Sequence, residues 1–320
     1  MGRGQEAGSP ARKFAAAEAL PKGRVVPVRS KDGIRLHAEV FGPEDGYPIV
    51  LAHGITCALR VWAYQIADLA SDYRVIAFDH RGHGKSAAPP HRHRYSLDLL
   101  AGDLDAVLEA TLAPGERAVI AGHSMGGIAI TSWADRFPDR VPQRADAVAL
   151  INTTTGDLLR NVKFLPVPAQ LADVRVRAAG TLLKTFGAAP LLRAVDRPSR
   201  RFVSTIAVGR DADPAVVDFI YELFTSTPPA GRGGWARILV DALGPEHIGL
   251  TNLTAPTLVI GSTKDRLLPM VSSRHIAKMA PNLASFVELP GGHCAIVERP
   301  DDVNKHLRML IESVGRQRSA

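Results

Sequence analysis

Cysteine is nearly absent from this sequence. Two cysteines in 320 residues cannot build a disulfide framework, and with no Cys-x-x-Cys pair a structural zinc site of that kind is excluded. No apolar run approaches the ~20 residues that span a bilayer. The composition is not that of a disordered chain either, with 46% hydrophobic and 22% charged residues. No internal repeat is visible. The opening Met1-Gly-Arg-Gly-Gln-Glu leads into a short stretch, Phe14–Leu20, that carries Glu18 and does not read as a secretory signal. A reducing cytoplasm is the expected compartment. Lysine is scarce, at 9 against 30 arginines, within a net charge of +7. Acidic residues are scarce in one stretch: Arg160–Arg210 holds 10 basic residues and only Asp173 and Asp196, a local +8. No recognition motif accompanies that patch, so no nucleic-acid partner is expected.

The length favours one domain with an inserted lobe over two independent folds. Residues 1–23 read as a flexible tail. Arg24–Val28 and Ile34–Phe41 alternate in hydrophobicity and read as a hairpin turning at Lys31-Asp-Gly33. Short continuous apolar runs then follow at Ile49–Leu51, Val75–Phe78, Ala118–Ala121, Ala147–Ile151, Leu258–Ile260 and Phe286–Leu289. Continuous hydrophobicity marks strands buried on both faces, as in a parallel sheet. Helical patterns separate them at Arg60–Ala70, Leu97–Leu112, Met125–Phe137, Ser272–Ala280 and Asp301–Ile311, giving an α/β sheet with helices on both sides. Between Ile151 and Leu258 the rhythm breaks. Only helical patterns appear there, around Ala169–Phe186, Leu191–Val208, Pro214–Thr225 and Gly234–Leu243. Asp213-Pro214 is a helix start, and Pro228-Pro229 with Gly231–Gly234 reads as punctuation. The expected division is a core of 24–154 and 250–314, a helical cap of 155–249 and a tail of 315–320.

The sharpest motif is Gly122-His-Ser-Met-Gly126, with Gly127 next, placed between a strand and a helix. A strand that turns abruptly into a helix strains its middle residue and leaves no room for side chains two positions either side. The turn would lift the Ser124 hydroxyl clear of the sheet at a helix N-terminus, where free N–H groups favour developing negative charge. A serine nucleophile needs a base and an orienting acid. For this turn the chain order is serine, acid, histidine. Asp265 follows the run Leu258–Gly261, and His293 follows Phe286–Leu289 through Gly291-Gly292; both fall on the carboxyl edge of the sheet, where open α/β sheets bind ligands. Asp157, after the strand ending at Ile151, is the rival acid. The backbone N–H of Met125 is one donor to an oxyanion, and the loop Ala52-His53-Gly54-Ile55 offers a second at Ile55, with Gly54 admitting the carbonyl and His53 and His123 in support. His80, His83, His91 and His93 crowd together, but Arg92 and Arg94 among them would repel a cation, so no metal is expected. Cys57 and Cys294 flank the two loops and read as buried thiols rather than a redox pair.

Together these motifs resemble the α/β-hydrolase superfamily over roughly residues 24–314, and within it the esterase and monoacylglycerol-lipase-like branch. His53-Gly54, Asp79–Ser86, Gly122–Gly127, Gly261–Asp265 and Gly291–His293 carry the resemblance. It implies an α/β-hydrolase fold, a mostly parallel sheet with an inserted helical cap, and a triad of Ser124, Asp265 and His293 that cleaves a carboxylic ester through an acyl-enzyme, with no cofactor. It also implies that Asp79–Ser86 braces the site without taking part in catalysis. Epoxide hydrolases and haloalkane dehalogenases of this fold carry aspartate where Ser124 stands, and Ile55-Thr56 departs from the His-Gly-Gly-Gly lipases. Thioesterases, carbon–carbon bond hydrolases and cofactor-free haloperoxidase-like perhydrolases use the same triad and stay open. A non-catalytic binding protein is disfavoured by the full set of triad candidates. The expected partner is a small ester, with lipid as one form of it. The basic lobe, with Leu171, Val174, Ala178, Leu182 and Phe186 at helical spacing among Arg175, Arg177, Arg200 and Arg201, could rest on an anionic membrane. The plainer alternative is that its apolar side covers the sheet domain and its arginines face water.

Overall fold

In the computed structural model, residues 20, 22–91, 94–161, 176–181, 184, 188 and 196–319 are described. An eight-stranded sheet runs in the order β1-β2-β4-β3-β5-β6-β7-β8. Its strands are β1 (Arg24–Arg29), β2 (Arg35–Phe41), β3 (Pro48–Ala52), β4 (Arg74–Asp79), β5 (Ala118–His123), β6 (Ala145–Ile151), β7 (Thr257–Ser262) and β8 (Leu283–Leu289). The pairs β1/β2 and β2/β4 are antiparallel, and every later pair is parallel.

The strands β3, β5, β6 and β7 are buried along their whole length. Alternate side chains of one strand enter opposite layers, because successive Cβ atoms point to opposite faces. Ile49 and Leu51 join Trp62, Ile66 and Leu307, while Val50 and Ala52 join Leu104, Ile128 and Trp133. The first layer is made by α1 (Ala63–Leu69) and the C-terminal helix, the second by α2 (Leu97–Thr111), α3 (Met125–Arg136) and Ile276 of the helix between β7 and β8. Ser96 caps α2 by accepting a hydrogen bond from the Leu99 N–H at 3.1 Å.

Between β6 and β7 the described residues hold helices and no strand. The longer ones are α4 (Asp196–Ala207), α5 (Pro214–Ser226) and α6 (Pro229–Ala242). Asp213 caps α5 with Pro214 in its first turn, as the dipeptide signals. The glycines at 231–234, expected to punctuate, lie inside α6 instead. They serve close packing: a Cβ on Gly231 would sit 2.0 Å from the Gly82 carbonyl oxygen, and one on Gly234 would sit 2.6 Å from the Tyr95 ring. Trp235 Nε1–H then donates to the Arg81 carbonyl at 3.0 Å, fastening α6 to the loop after β4.

Two further expectations change. After α7 (Met270–Met279), the C-terminal helix α8 runs Pro300–Ser319, so residues 315–319, expected as a tail, are helical. In the basic lobe, Leu171, Val174, Arg175, Leu182 and Phe186 fall outside the described residues. Ala178 is exposed where the apolar face was expected, while Ala179 is buried. Arg200 is ion-paired with Asp218. Among the described residues, no helix is long and apolar enough to cross a membrane.

Candidate active site

Ser124 stands between β5 and α3 with φ 53° and ψ −118°, a left-handed backbone that a residue with a Cβ adopts only under strain. The glycines around it are required by contact. A Cβ on Gly122 would lie 2.4 Å from the Gly126 carbonyl carbon, and one on Gly126 would lie 2.0 Å from the Ala52 carbonyl oxygen. The strained turn is held from outside: the Ser124 N–H donates to the Ile151 carbonyl at 3.0 Å, and the Thr153 hydroxyl donates to the Ser124 carbonyl at 2.7 Å.

The structure brings Asp265 and His293 together. His293 Nδ1 lies 2.8 Å from Asp265 Oδ2, with both side chains almost wholly buried. Asp265 is also accepted into a cradle of donors. The Leu267 and Leu268 amides donate to Oδ1 at 2.9 and 2.8 Å, and Asn152 Nδ2–H donates to Oδ2 at 3.0 Å. His293 is held beside the serine by its neighbour, since His123 Nε2–H donates to the His293 carbonyl at 2.9 Å and the two rings lie 4.9 Å apart. Asp157 is placed elsewhere. Its carboxylate faces His247 Nε2 at 3.5 Å, and that imidazole also contacts the Thr155 hydroxyl at 2.7 Å and the His275 ring at 4.1 Å.

The His53-Gly54 loop lies directly against Ser124, because a Cβ on Gly54 would meet Ser124 Cβ at 3.1 Å. His53 fixes its orientation. The Nδ1–H donates to the Gly54 carbonyl at 2.7 Å, and Nε2 accepts the His80 N–H at 3.0 Å. In a planar trans peptide the N–H points opposite to the carbonyl, so the Ile55 N–H faces away from His53. The next amide, Thr56 N–H, donates to His83 Nε2 at 3.2 Å, which holds Thr56 at φ 58°. Among the described residues, neither the Ile55 nor the Met125 N–H has a hydrogen-bond partner in the protein.

The Asp79–Ser86 motif forms a brace. Asp79 accepts the Leu59 and Lys85 amides at 2.7 and 2.8 Å. Arg81, its side chain fully buried, donates to both oxygens of Asp103 at 2.6 Å and reaches Asp32 in the β1–β2 turn. Burial drives the histidines here toward the neutral form. It pulls His80 and His123 down to about 3 and His83 to about 4, and lowers His53 well below its ordinary value. His53 and His83 turn both ring nitrogens to backbone groups, whereas His80 and His123 turn only Nε2 to one and keep Nδ1 buried with no hydrogen-bond partner among the described residues. Among the described residues no three His, Cys, Asp or Glu side chains converge on a metal. His93 lies outside the described residues. Burial pushes the Cys57 thiol up to about 12 and raises Cys294 well above its usual value, so both thiols stay protonated.

Asn152 and Glu298 are the site-supporting residues that sequence reasoning missed. Asn152 follows β6 at φ 44°, and an asparagine just after a buried strand was the available sign, since Asn tolerates that backbone. Glu298 left no comparable trace.

This arrangement has relatives. Residues 47–300 match the family described as the alpha/beta hydrolase fold, and the chain belongs to that family. It is 39% identical over 293 residues to the non-heme chloroperoxidase of Streptomyces lividans, covering 89% of this chain and 99% of that one. It is 27% identical over 306 residues to the bifunctional epoxide hydrolase 2 of Mus musculus, covering 88% of this chain but only 54% of the relative's length. Among solved structures, the enol-lactonase from Burkholderia xenovorans LB400 superposes with a TM-score of 0.69 at 25% identity, over 89% of this chain and 99% of that one. A thermophilic esterase from Thermogutta terrifontis shares the fold with a TM-score of 0.71 at 22% identity, over 91% and 99%.

Proposed function

We propose that this hydrolase-family protein is a serine esterase: Ser124 attacks the carbonyl of a carboxylic ester, His293 carries the proton, and Asp265 holds the imidazole. The buried 2.8 Å contact between His293 Nδ1 and Asp265, with His293 held by His123 next to the strained Ser124 turn, carries this reading. With Nδ1–H donated to Asp265, the proton on His293 Nδ1 is fixed and Nε2 is left to accept the serine proton. The alcohol departs with that proton, and water then releases the acid from the acyl-serine. The N–H groups of Ile55 and Met125 would receive the developing oxyanion, where each such donor is worth ~10²–10³ in turnover. Serine at 124 speaks against the epoxide-opening chemistry of the epoxide hydrolase relatives, which the resemblance to that superfamily associates with aspartate at this position. Residues 155–249 would act as the cap that shapes the acyl pocket.

The test is a series of p-nitrophenyl esters of increasing chain length together with a fluorophosphonate probe. Wild-type protein should hydrolyse at least one ester and take the label at Ser124, and Ser124→Ala should do neither. Ester turnover retained at a comparable rate by Ser124→Ala would overturn the assignment.

The chloroperoxidase relative favours a second reading of the same site, in which hydrogen peroxide replaces water in attacking the acyl-serine and a peracid leaves. Bromination of monochlorodimedone that requires acetate, peroxide and Ser124 together would mark that activity. Its absence would leave hydrolysis alone.

A further inference from the structure

The loop that carries His293 is anchored residue by residue. The Gly291 carbonyl accepts the Lys264 N–H at 3.0 Å, next to Asp265 in the chain. The His293 carbonyl accepts from His123, next to Ser124. The two remaining anchors run to the segment that ends α4, outside the sheet. The Cys294 N–H donates to the Ala207 carbonyl at 3.0 Å. The Glu298 carboxylate accepts both the Gly209 N–H at 2.8 Å and the Gly292 N–H at 2.9 Å on the same oxygen, Oε2. Contact there is so close that a Cβ on Gly292 would sit 2.3 Å from Gly209 N, and one on Gly209 would sit 2.9 Å from Glu298 Oε2. Glu298 ends the single turn Ala295–Glu298 that follows His293, so its backbone and its side chain hold opposite sides of the same loop. Glu298 also lines a cavity of about 420 Å³, together with Tyr64, Asp211, Asp213, Lys264 and Arg299 among others.

We infer that Glu298 is a positioning residue that couples the segment between β6 and β7 to the catalytic histidine: one carboxylate oxygen ties the Gly209 amide at the end of α4 to the Gly292 amide that sets the His293 loop. A displacement of α4 therefore moves the His293 loop, and a substrate that seats against the inserted segment also sets the base. The carboxylate acts here as a bridge between two N–H groups. Burial raises the Glu298 carboxyl above its ordinary value, the Gly292, Gly209 and Cys294 amides oppose that rise in part, and among the described residues no cation is ion-paired with it.

This inference rests on the esterase reading, and its test separates the two. Steady-state hydrolysis of p-nitrophenyl butyrate and the rate of fluorophosphonate labelling are measured for wild type, Glu298→Ala, Glu298→Asp, Glu298→Gln and Gly209→Ala. A misplaced base slows the chemical step, and a shift of about 1 Å costs up to ~10². Glu298→Ala and Glu298→Asp, which lose the bridge or its reach, should lower kcat roughly tenfold or more with KM changed less than about threefold. Glu298→Gln keeps an oxygen that can accept both amides and should stay within about threefold of wild type. Gly209→Ala, which presses on the bridge from the far side, should lower kcat in the same manner. Amide exchange should quicken together in the peptides around 203–212 and 287–295 of Glu298→Ala. Wild-type kcat in Glu298→Ala, or a loss in Glu298→Gln matched by retention in Glu298→Asp, overturns the inference, the latter because it would assign the effect to charge. If Glu298→Ala fails to fold, unchanged kcat in Gly209→Ala overturns it equally. Failure of wild type to turn over any ester, with no labelling of Ser124, would instead sink the esterase reading.

Discussion

Asp265 and Asp157 each face a histidine, and the chain leaving β6 touches both pairs, at Asn152 in the first and at Thr155 in the second. His293 meets Asp265 at 2.8 Å with side-chain exposures of 5% and 0%, whereas His247 meets Asp157 at 3.5 Å with 25% and 29%. The first carboxylate is held by three further donors, from Asn152, Leu267 and Leu268. The second has water on one side. A half-buried carboxylate and imidazole at that separation are worth little to stability. The same two residue types become a device for moving a proton only where every other lone pair of the carboxylate is occupied and the ring cannot turn.

Removing the histidines is the strongest way to break this comparison. His293→Ala should lower kcat for p-nitrophenyl butyrate by about 10⁴-fold or more, while His247→Ala stays within about threefold. Equal losses would make the two pairs equivalent. Next come the acids. Asp265→Asn keeps the shape but offers His293 Nδ1 an amide, and should cost ~10³–10⁴ in kcat, against a few-fold at most for Asp157→Asn. A dead Asp157→Asn beside an active Asp265→Asn would reverse the roles. A smaller change sharpens the contrast within the first pair. Asn152→Gly removes the donor to Asp265 Oδ2 while suiting φ 44°, so kcat should fall about tenfold with thermal stability preserved. Retained kcat would show that the acid needs no help from β6.

The smallest effect on turnover concerns acid stability. His80 and His123 are pulled down to about 3 and His83 to about 4, against 6.5 in the unfolded chain. Below 6.5 the unfolded chain takes up protons that the folded sites refuse. Folding stability is therefore fully present above pH 6.5 and declines as pH falls toward 4, by about 1.4 kcal/mol per pH unit for each such group. Denaturant melts between pH 7 and 4.5 should show this decline in wild type. A flat profile would mean that the buried histidines beside the active site are not held neutral.

The eight strands, the turn at Ser124 and the hairpin at Gly33 were legible in the sequence because their causes are local. A run such as Val75–Phe78 is apolar because both faces of that strand are covered, and Gly122 and Gly126 are small because the turn itself leaves no room. The glycines of α6 misled for the same reason, since a run like Gly231–Gly234 is a breaker in isolation. It becomes helical only where Gly82 and Tyr95 press on it and Pro228-Pro229 starts the helix. Asn152 was passed over because nothing near it in the chain signals that Asp265 will arrive from 113 residues away.

By itself the sequence determined the order of elements, the strained turn at Ser124 and a short choice of candidate acids and bases, since periodicity, steric room and loop position are written over a few neighbouring residues. Only the tertiary structure decided which aspartate meets which histidine, that His53 Nδ1 engages the Gly54 carbonyl, and that Glu298 bridges Gly209 to Gly292. Those outcomes depend on hydrogen bonds with steep distance and angle demands between segments remote in the chain, and such pairings form only when the packed sheet and helices bring their donors to within about 3 Å.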